Sequence, residues 1–505
     1  MKYWLGIDIG TGGSRALLVR PDGAVAGGVT AAHEDILMRQ PLWAEQRPQD
    51  WWQAACRAVR QALAQTGASG DDIAGVGLSG QMHGLTLLDA ADEVIRPALI
   101  WCDQRSQEQV DWINAKAGKD MVLEQTANPV LTGFTAPKLL WVRDHDPASY
   151  ERVRRMLLPK DYIRLCLTGE YASEVSDASG TALFDVAGRR WARPLIDKLG
   201  IDAAILPEVV ESPQVAGRIS ATAAQSTGLR AGTPVVGGGG DQAASAVGNG
   251  IVQDGLVSCT VGTSGVVFAH LDEAAYDPAG RVHTFCHAVP GKWHVMGVTQ
   301  GAGLSLQWFR NQLAAGLAER AAQRGVEVYD LLTEEAAAVP AGAEGLYWLP
   351  YLMGERTPHL DAYARGGWIG LTAKHTRGHL VRAILEGVAY SLNDCLGIVG
   401  SLGAGIEAVR ASGGGAKSPL WRSILAGVFR KPIASLKTQE GSAYGAALLA
   451  MVGTGAFGSV QEACAGTIVE QRRAQPDPAL AAAYGRRYQV FRDLYPALSD
   501  LFPKV

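Results

Sequence analysis

The chain carries the same short hairpin twice. "WLGIDIGTGGSRALLV" near the start reads as an apolar strand, a glycine turn and a second strand, with "PDG" turning into a third. "GLVSCTVGTSGVVFAHL" repeats the pattern near the middle, and the shared core Ile/Val-Gly-Thr-x-Gly falls at Ile9 to Gly13 and at Val261 to Gly265. Two matching hairpins roughly half a chain apart predict two related domains facing one another. Elsewhere apolar runs alternate with helical patterns, as in the amphipathic "PQDWWQAACRAVRQALAQTG" and the long "GHLVRAILEGVAYSLNDCLGIV". The class is α/β.

At 505 residues the chain exceeds what one core supports. The break is expected near Gly250 to Gly255, giving domains 1–250 and 251–505. No low-complexity linker separates them, so they should pack around a cleft. A net charge of −4 gives no reason to expect nucleic acid or an anionic membrane surface. The uncharged run Gly441 to Val460 is long enough to span a bilayer, but its glycines and alanines predict a buried helix. Seven dispersed cysteines without a CxxC pair fit a reduced, cytoplasmic setting. Asp8 interrupts the first apolar run too early for a secretory leader.

A Gly-Thr-x-Gly turn between strands exposes several amides in a tight curve, a nest for phosphate oxygens. The two turns therefore mark Gly10, Thr11, Gly12 and Gly13, and Gly262, Thr263, Ser264 and Gly265, as a clamp for one polyphosphate. Asp8, in an apolar strand directly before the first turn, is costly unless paired or near a cation. A Mg²⁺ held by phosphates and reached through water would explain it. "PVVGGGGDQAASAVG" sets Asp241 behind four glycines, where it reads either as a helix N-cap or as a reactive carboxylate. Walker A, G-x-G-x-x-G and G-x-S-x-G patterns are all incomplete here. "HTFCH" lacks further ligands for a metal and reads as an ordinary strand. "GQMHG" follows a strand at its loop end, where α/β proteins gather ligand groups, which marks His83 as a hydrogen-bonding group and Met82 as an apolar wall. Trp101 and Trp141 read as core residues more readily than as sugar-stacking ones.

Taken in order, "GIDIGTGGSRALL", "GLSGQMHGLTLLD", "WCDQRS", "TAPKLLWV", "LLPKDYIRLCLTGEYASEVSDASGTALFDV", "GGGDQAASAVG", "TVGTSGV", "LPYLMGERTPH", "ASGGGAKSPLWRSILA" and "GSAYGAALLA" resemble the FGGY carbohydrate kinases, and among them the xylulokinase branch. The resemblance runs from about residue 3 to the C-terminal helix. It implies two actin-like, Hsp70-like (ribonuclease H-like) ATPase domains of duplicated origin facing a central cleft, with sugar in the first half and nucleotide largely in the second. It makes Asp241 the catalytic base, with a second candidate role at the metal. Gly413, Gly414 and Gly415 go to the adenosine side, and Met82 and His83 to the ketose. Asp103 goes to hydroxyl binding or to the shell behind it.

Two positions depart from the branch pattern. Gln242 follows Asp241 where asparagine is common, and it should touch substrate hydroxyls. Arg15 stands where lysine is frequent, keeping positive charge near phosphate with a different geometry. The expected reaction is ATP-dependent phosphorylation of D-xylulose with Mg²⁺. Glycerol, ribulose or another polyol is an alternative acceptor, and a chaperone-like ATPase an alternative class. Expected partners are the sugar and ATP, with no nucleic acid and no membrane; a homodimer stays open. Asp241 is expected to have an ordinary carboxylate pKa near 3.9.

Overall fold

Tyr3–Ile9 pairs antiparallel with Gly13–Val19, which pairs antiparallel with Val25–Ala32 in a computed structural model describing residues 1–438 and 440–505. On its other side Tyr3–Ile9 runs parallel to Ile73–Gly80, which runs parallel to Pro234–Val236. Val215–Arg218 closes that edge antiparallel.

The second half repeats every step. Gly255–Val261 pairs antiparallel with Gly265–Leu271, and that strand with Trp293–Thr299. Gly255–Val261 also runs parallel to Ile406–Ser412, which is parallel to Ile433–Leu436, and Glu470–Ala474 closes the edge antiparallel. Each sheet adds one strand of its own: Gly239–Gly240 against Ile73–Gly80, and His283–Cys286 beside Trp293–Thr299. The duplication suggested by two turns thus extends to whole mixed sheets.

Local signals account for the helices around them. Pro48–Thr66 starts with proline in its first turn and ends on Gly67 at φ 67°, which relieves the left-handed cap of any Cβ penalty. Its apolar face, including Trp51, Ala55 and Val59, joins the core of the first sheet. The uncharged run after residue 440 forms the helix Gly441–Gly453, buried over most of its length. Among the described residues no helix is long and apolar enough to cross a membrane. Gly441–Gly453 packs on Tyr3–Ile9, on Ile73–Gly80 and on the helix Asp241–Gly248. That approach requires glycine: a Cβ on Gly445 would lie 1.8 Å from the carbonyl oxygen of Ala244. A segment from late in the chain is therefore built onto the first sheet.

Candidate active site

Strand register collects the expected residues at one edge. Ile9 lies beside Gly80 in the parallel pair Tyr3–Ile9 and Ile73–Gly80, so the first glycine turn and the Gln81-Met82-His83 loop leave the sheet together. Gly239 and Gly240 pair with Ser79 and Gly80, which brings Asp241 to the same end. In the second sheet Thr260 lies beside Ser412, so Gly262 to Gly265 and Gly413 to Gly415 also emerge side by side. Ligands of open α/β sheets bind at the carboxyl ends of parallel strands.

The glycine run before Asp241 has a structural reason. Gly238 has φ 76°, and a Cβ there would meet the Leu78 carbonyl at 2.0 Å. A Cβ on Gly240 would meet the Met82 side chain at 2.9 Å. These glycines let the chain press against its own strand and the Met82-His83 loop. The N-cap of the following helix is Gly240, and Asp241 is its first helical residue. Behind this backbone lies a wholly buried polar network. Gly240 N–H donates to Ser176 Oγ, Ser176 Oγ–H donates to Glu174, and Arg164 donates to the carbonyls of Gly237 and Ala172.

Asp241 does not keep an ordinary pKa. Burial, followed by the Asp8 charge, pushes it up to about 7, against the pull of Gln242. Asp8, between Arg15 and Ser79 in register, is likewise raised to about 6, chiefly by burial. Its Oδ1 has no hydrogen-bond partner. Two neighbouring carboxylates, one with an orphaned oxygen, fit a hard divalent cation. Among the described residues there is no group of three or more metal-ligating side chains.

A Cβ test separates the loop glycines. Gly12 and Gly414 have open space where a side chain would stand, and Gly262 meets only an ordinary contact at 3.5 Å. Gly13, Gly265, Gly413 and Gly415 would each strike their own chain within 2.8 Å, and Gly10 would press on Gly13 at 3.2 Å. Of these loop positions, the first three alone leave room for a side chain. The Thr11 hydroxyl is engaged, donating to Gln81 and accepting from Trp101 Nε1 at 2.9 Å. Thr263 is exposed and Ser264 half-buried. Arg15 forms an ion pair with Glu440 across the two halves, so its charge is shared.

A cavity of about 650 Å³ opens beside Gly262, Thr263, Gly414 and Gly415, and its far wall is Glu327, Tyr329, Asp330 and Thr333. That volume suits a nucleotide-sized ligand. The far wall belongs to the helix Val328–Ala337 and its cap, which no motif in the sequence singles out.

On the other side, His83 sits at φ 68° with its ring stacked on Phe134 at 4.6 Å. Its Nδ1 is 2.6 Å from the Gly180 carbonyl, which can only accept, so Nδ1 carries the proton. Burial, with help from Lys138 and Arg356, lowers the His83 pKa to about 3. The ring is neutral, and Nε2 keeps a lone pair. Met82 is buried against the glycine run, and Gln242 is half-exposed beside Asp241.

Asp103 is fully buried, accepting hydrogen bonds from Ala44 N–H and from Arg105, which stacks on Trp43. Its bonds to Ala44 and Arg105 fit the shell behind a site, one of the two places the resemblance gives it. Trp141 is core as expected, but Trp101 is 47% exposed. His283 and His287 lie at a strand and its end, held by Asn128 and the Ile251 carbonyl.

Residues 3–248 match the N-terminal domain, and residues 257–454 the C-terminal domain, of the FGGY family of carbohydrate kinases. The chain is 39% identical over 502 residues to the xylulose kinase of Escherichia coli (strain K12), covering 99% of each. It is 37% identical over 501 residues to the xylulose kinase of Bacillus subtilis (strain 168), covering 99% of this chain and 98% of that relative. The crystal structure of xylulose kinase from Rhodospirillum rubrum superposes with a TM-score of 0.92 at 32% identity, covering 99% of this chain and 100% of that one. The paired mixed sheets are thus the sugar-kinase form of the actin-like ATPase fold. Both family domains follow one another in order over nearly the whole length, and the chain belongs to the FGGY family of carbohydrate kinases.

Proposed function

We propose that the chain transfers the γ-phosphoryl group of ATP to the 5-hydroxyl of D-xylulose. Residues 1–250 hold the ketose and residues 251–505 most of the nucleotide. Relatives named xylulose kinase that match end to end support the substrate. The observation that carries the chemistry is Asp241, a carboxylate raised to about 7 by burial and Asp8, at the strand ends where the first glycine turn and the Met82-His83 loop leave the sheet.

Asp241 takes the proton of the sugar hydroxyl as that oxygen forms its bond to the γ-phosphorus and the bond to the ADP oxygen breaks. A carboxylate poised near neutrality is a better base than the expected ordinary one. The amides at Gly12 and Gly262 hold phosphate oxygens, and the cavity lined by Tyr329 and Asp330 takes the adenosine. Mg²⁺, when bound near Asp8 and Asp241, supplies charge neutralisation for the phosphates. His83 Nε2 accepts from a sugar hydroxyl, Met82 forms an apolar wall, and Gln242 bonds a further hydroxyl. Seven free cysteines fit the reducing, cytoplasmic setting we propose for the reaction.

A panel of ketopentoses, pentitols and glycerol, read by ADP release and by identifying the phosphorylated product, tests this. D-xylulose should give the highest kcat/KM. Preference for glycerol or another polyol would overturn the substrate, and ADP release without a sugar phosphate would overturn the kinase reading.

A further inference from the structure

Lys138 is wholly buried in the first turn of the helix Thr135–His145, and among the described residues no carboxylate lies within 4.0 Å of its ammonium. Nζ donates instead to two backbone carbonyls, Gly133 at 2.6 Å and His83 at 3.0 Å. Such a placement is costly twice over. A buried charge without a counter-ion loses its hydration. The helix N-terminus is the positive end of the peptide dipole and repels a cation. The lost hydration drags the ammonium down to about 7, although Asp103 pulls it up. A methionine would fill the same volume at no such cost, so packing alone does not account for lysine.

The two carbonyls identify what the ammonium does. His83 holds a left-handed backbone, which a residue with a Cβ adopts only when its surroundings impose it. Its carbonyl accepts from Lys138 and from the Thr135 hydroxyl at 3.1 Å, while its ring is pinned to Gly180. Gly133 in turn sits against the Trp101 carbonyl, where a Cβ would come within 2.8 Å. One ammonium thus joins the Met82-His83 loop to the turn before its own helix, and that turn lies against Trp101.

We propose that Lys138 is a positioning residue for the sugar: it holds the His83 backbone so that ring Nε2 faces the acceptor site. The inference rests on His83 being a sugar ligand, as argued above.

The test is a double-mutant cycle of Lys138→Met and His83→Ala, reading KM for D-xylulose and for ATP. Lys138→Met should raise the xylulose KM roughly tenfold or more, in line with loss of a charge-assisted hydrogen bond. The ATP KM should stay within about twofold, since the nucleotide wall lies on the other sheet. In the His83→Ala background, Lys138→Met should add little, because its effect passes through the missing ring. Additive losses, or equal losses for both ligands, would overturn the positioning role. An unchanged xylulose KM in His83→Ala would overturn the His83 reading first, and the Lys138 inference with it. If Lys138→Met fails to fold, Thr135→Val removes another donor to the same carbonyl and is read in the same cycle. It should move the xylulose KM in the same direction by less, and an unchanged value would overturn the proposal.

Discussion

The backbone amide of Gly240 donates a 3.0 Å hydrogen bond to the hydroxyl of Ser176, one residue before Asp241. Ser176 is itself held by Glu174, in a network that never reaches solvent. The carboxylate read as the base is therefore aimed from behind by a side chain distant in sequence. Removing that hydroxyl by Ser176→Ala leaves a buried amide without its acceptor, which costs about 1–3 kcal/mol. The expected result is a lower melting temperature and a lower kcat, with both KM values nearly unchanged. Steady-state kinetics beside a thermal melt decides this, and an unaltered kcat would show that the base is aimed without Ser176.

Asp241→Asn should lower kcat by roughly 10²–10⁴-fold, the usual contribution of a general base, and leave nucleotide binding intact. The wild-type profile carries a further signature. Because burial and Asp8 raise Asp241 to about 7, kcat/KM for the free enzyme should climb with pH and level off above that value. Asn should abolish the acid limb together with the rate. An acid limb that persists in the Asn variant belongs to another group.

The same two carboxylates set a stability trend. Both have folded-state pKa values above their ordinary ones, Asp8 at about 6 and Asp241 at about 7. Each contributes stability that is fully present below its unfolded pKa and lost as pH rises through its folded pKa. Metal-free Asp8→Asn should then melt higher than wild type at about pH 8, with the gap closing towards about pH 5. Mg²⁺ should raise the wild-type melting temperature at the higher pH and do less for the variant. Calorimetry with and without the metal reads both, and identical Mg²⁺ shifts in the two proteins would remove Asp8 from the metal site.

Gly12→Val and Gly265→Val should behave differently although both lie in matching turns. Gly12 has free space at its Cβ position, so valine there should weaken ATP and leave the fold and sugar KM alone. A Cβ at Gly265 would strike Leu392 and Thr299 at 2.7 Å, so that variant should lose stability before it loses any one ligand. Titration of both ligands alongside circular-dichroism melts separates the two. Equal loss of ATP and sugar in Gly12→Val would count against a phosphate site at that turn.

The sequence by itself determined the α/β class, the duplicated hairpins, the helix Pro48–Thr66 with its glycine stop, and the short set of chemistry-bearing residues around Asp8, His83 and Asp241. These rest on local rules: residue alternation, glycine in turns, and caps a few positions apart. Tertiary structure decided how those residues are held and charged. It gave the Asp103 carboxylate to Arg105 and Ala44, and paired Arg15 with Glu440 from more than 400 residues away. It raised Asp241 towards neutrality by burying it, with Asp8 adding to the effect, and it built the far wall of the cavity from Tyr329 and Asp330. It also divided the loop glycines into those that face outward and those that pack on their own chain. Burial and electrostatic pairing depend on which distant segments meet in space, and a linear pattern of residues does not contain those distances.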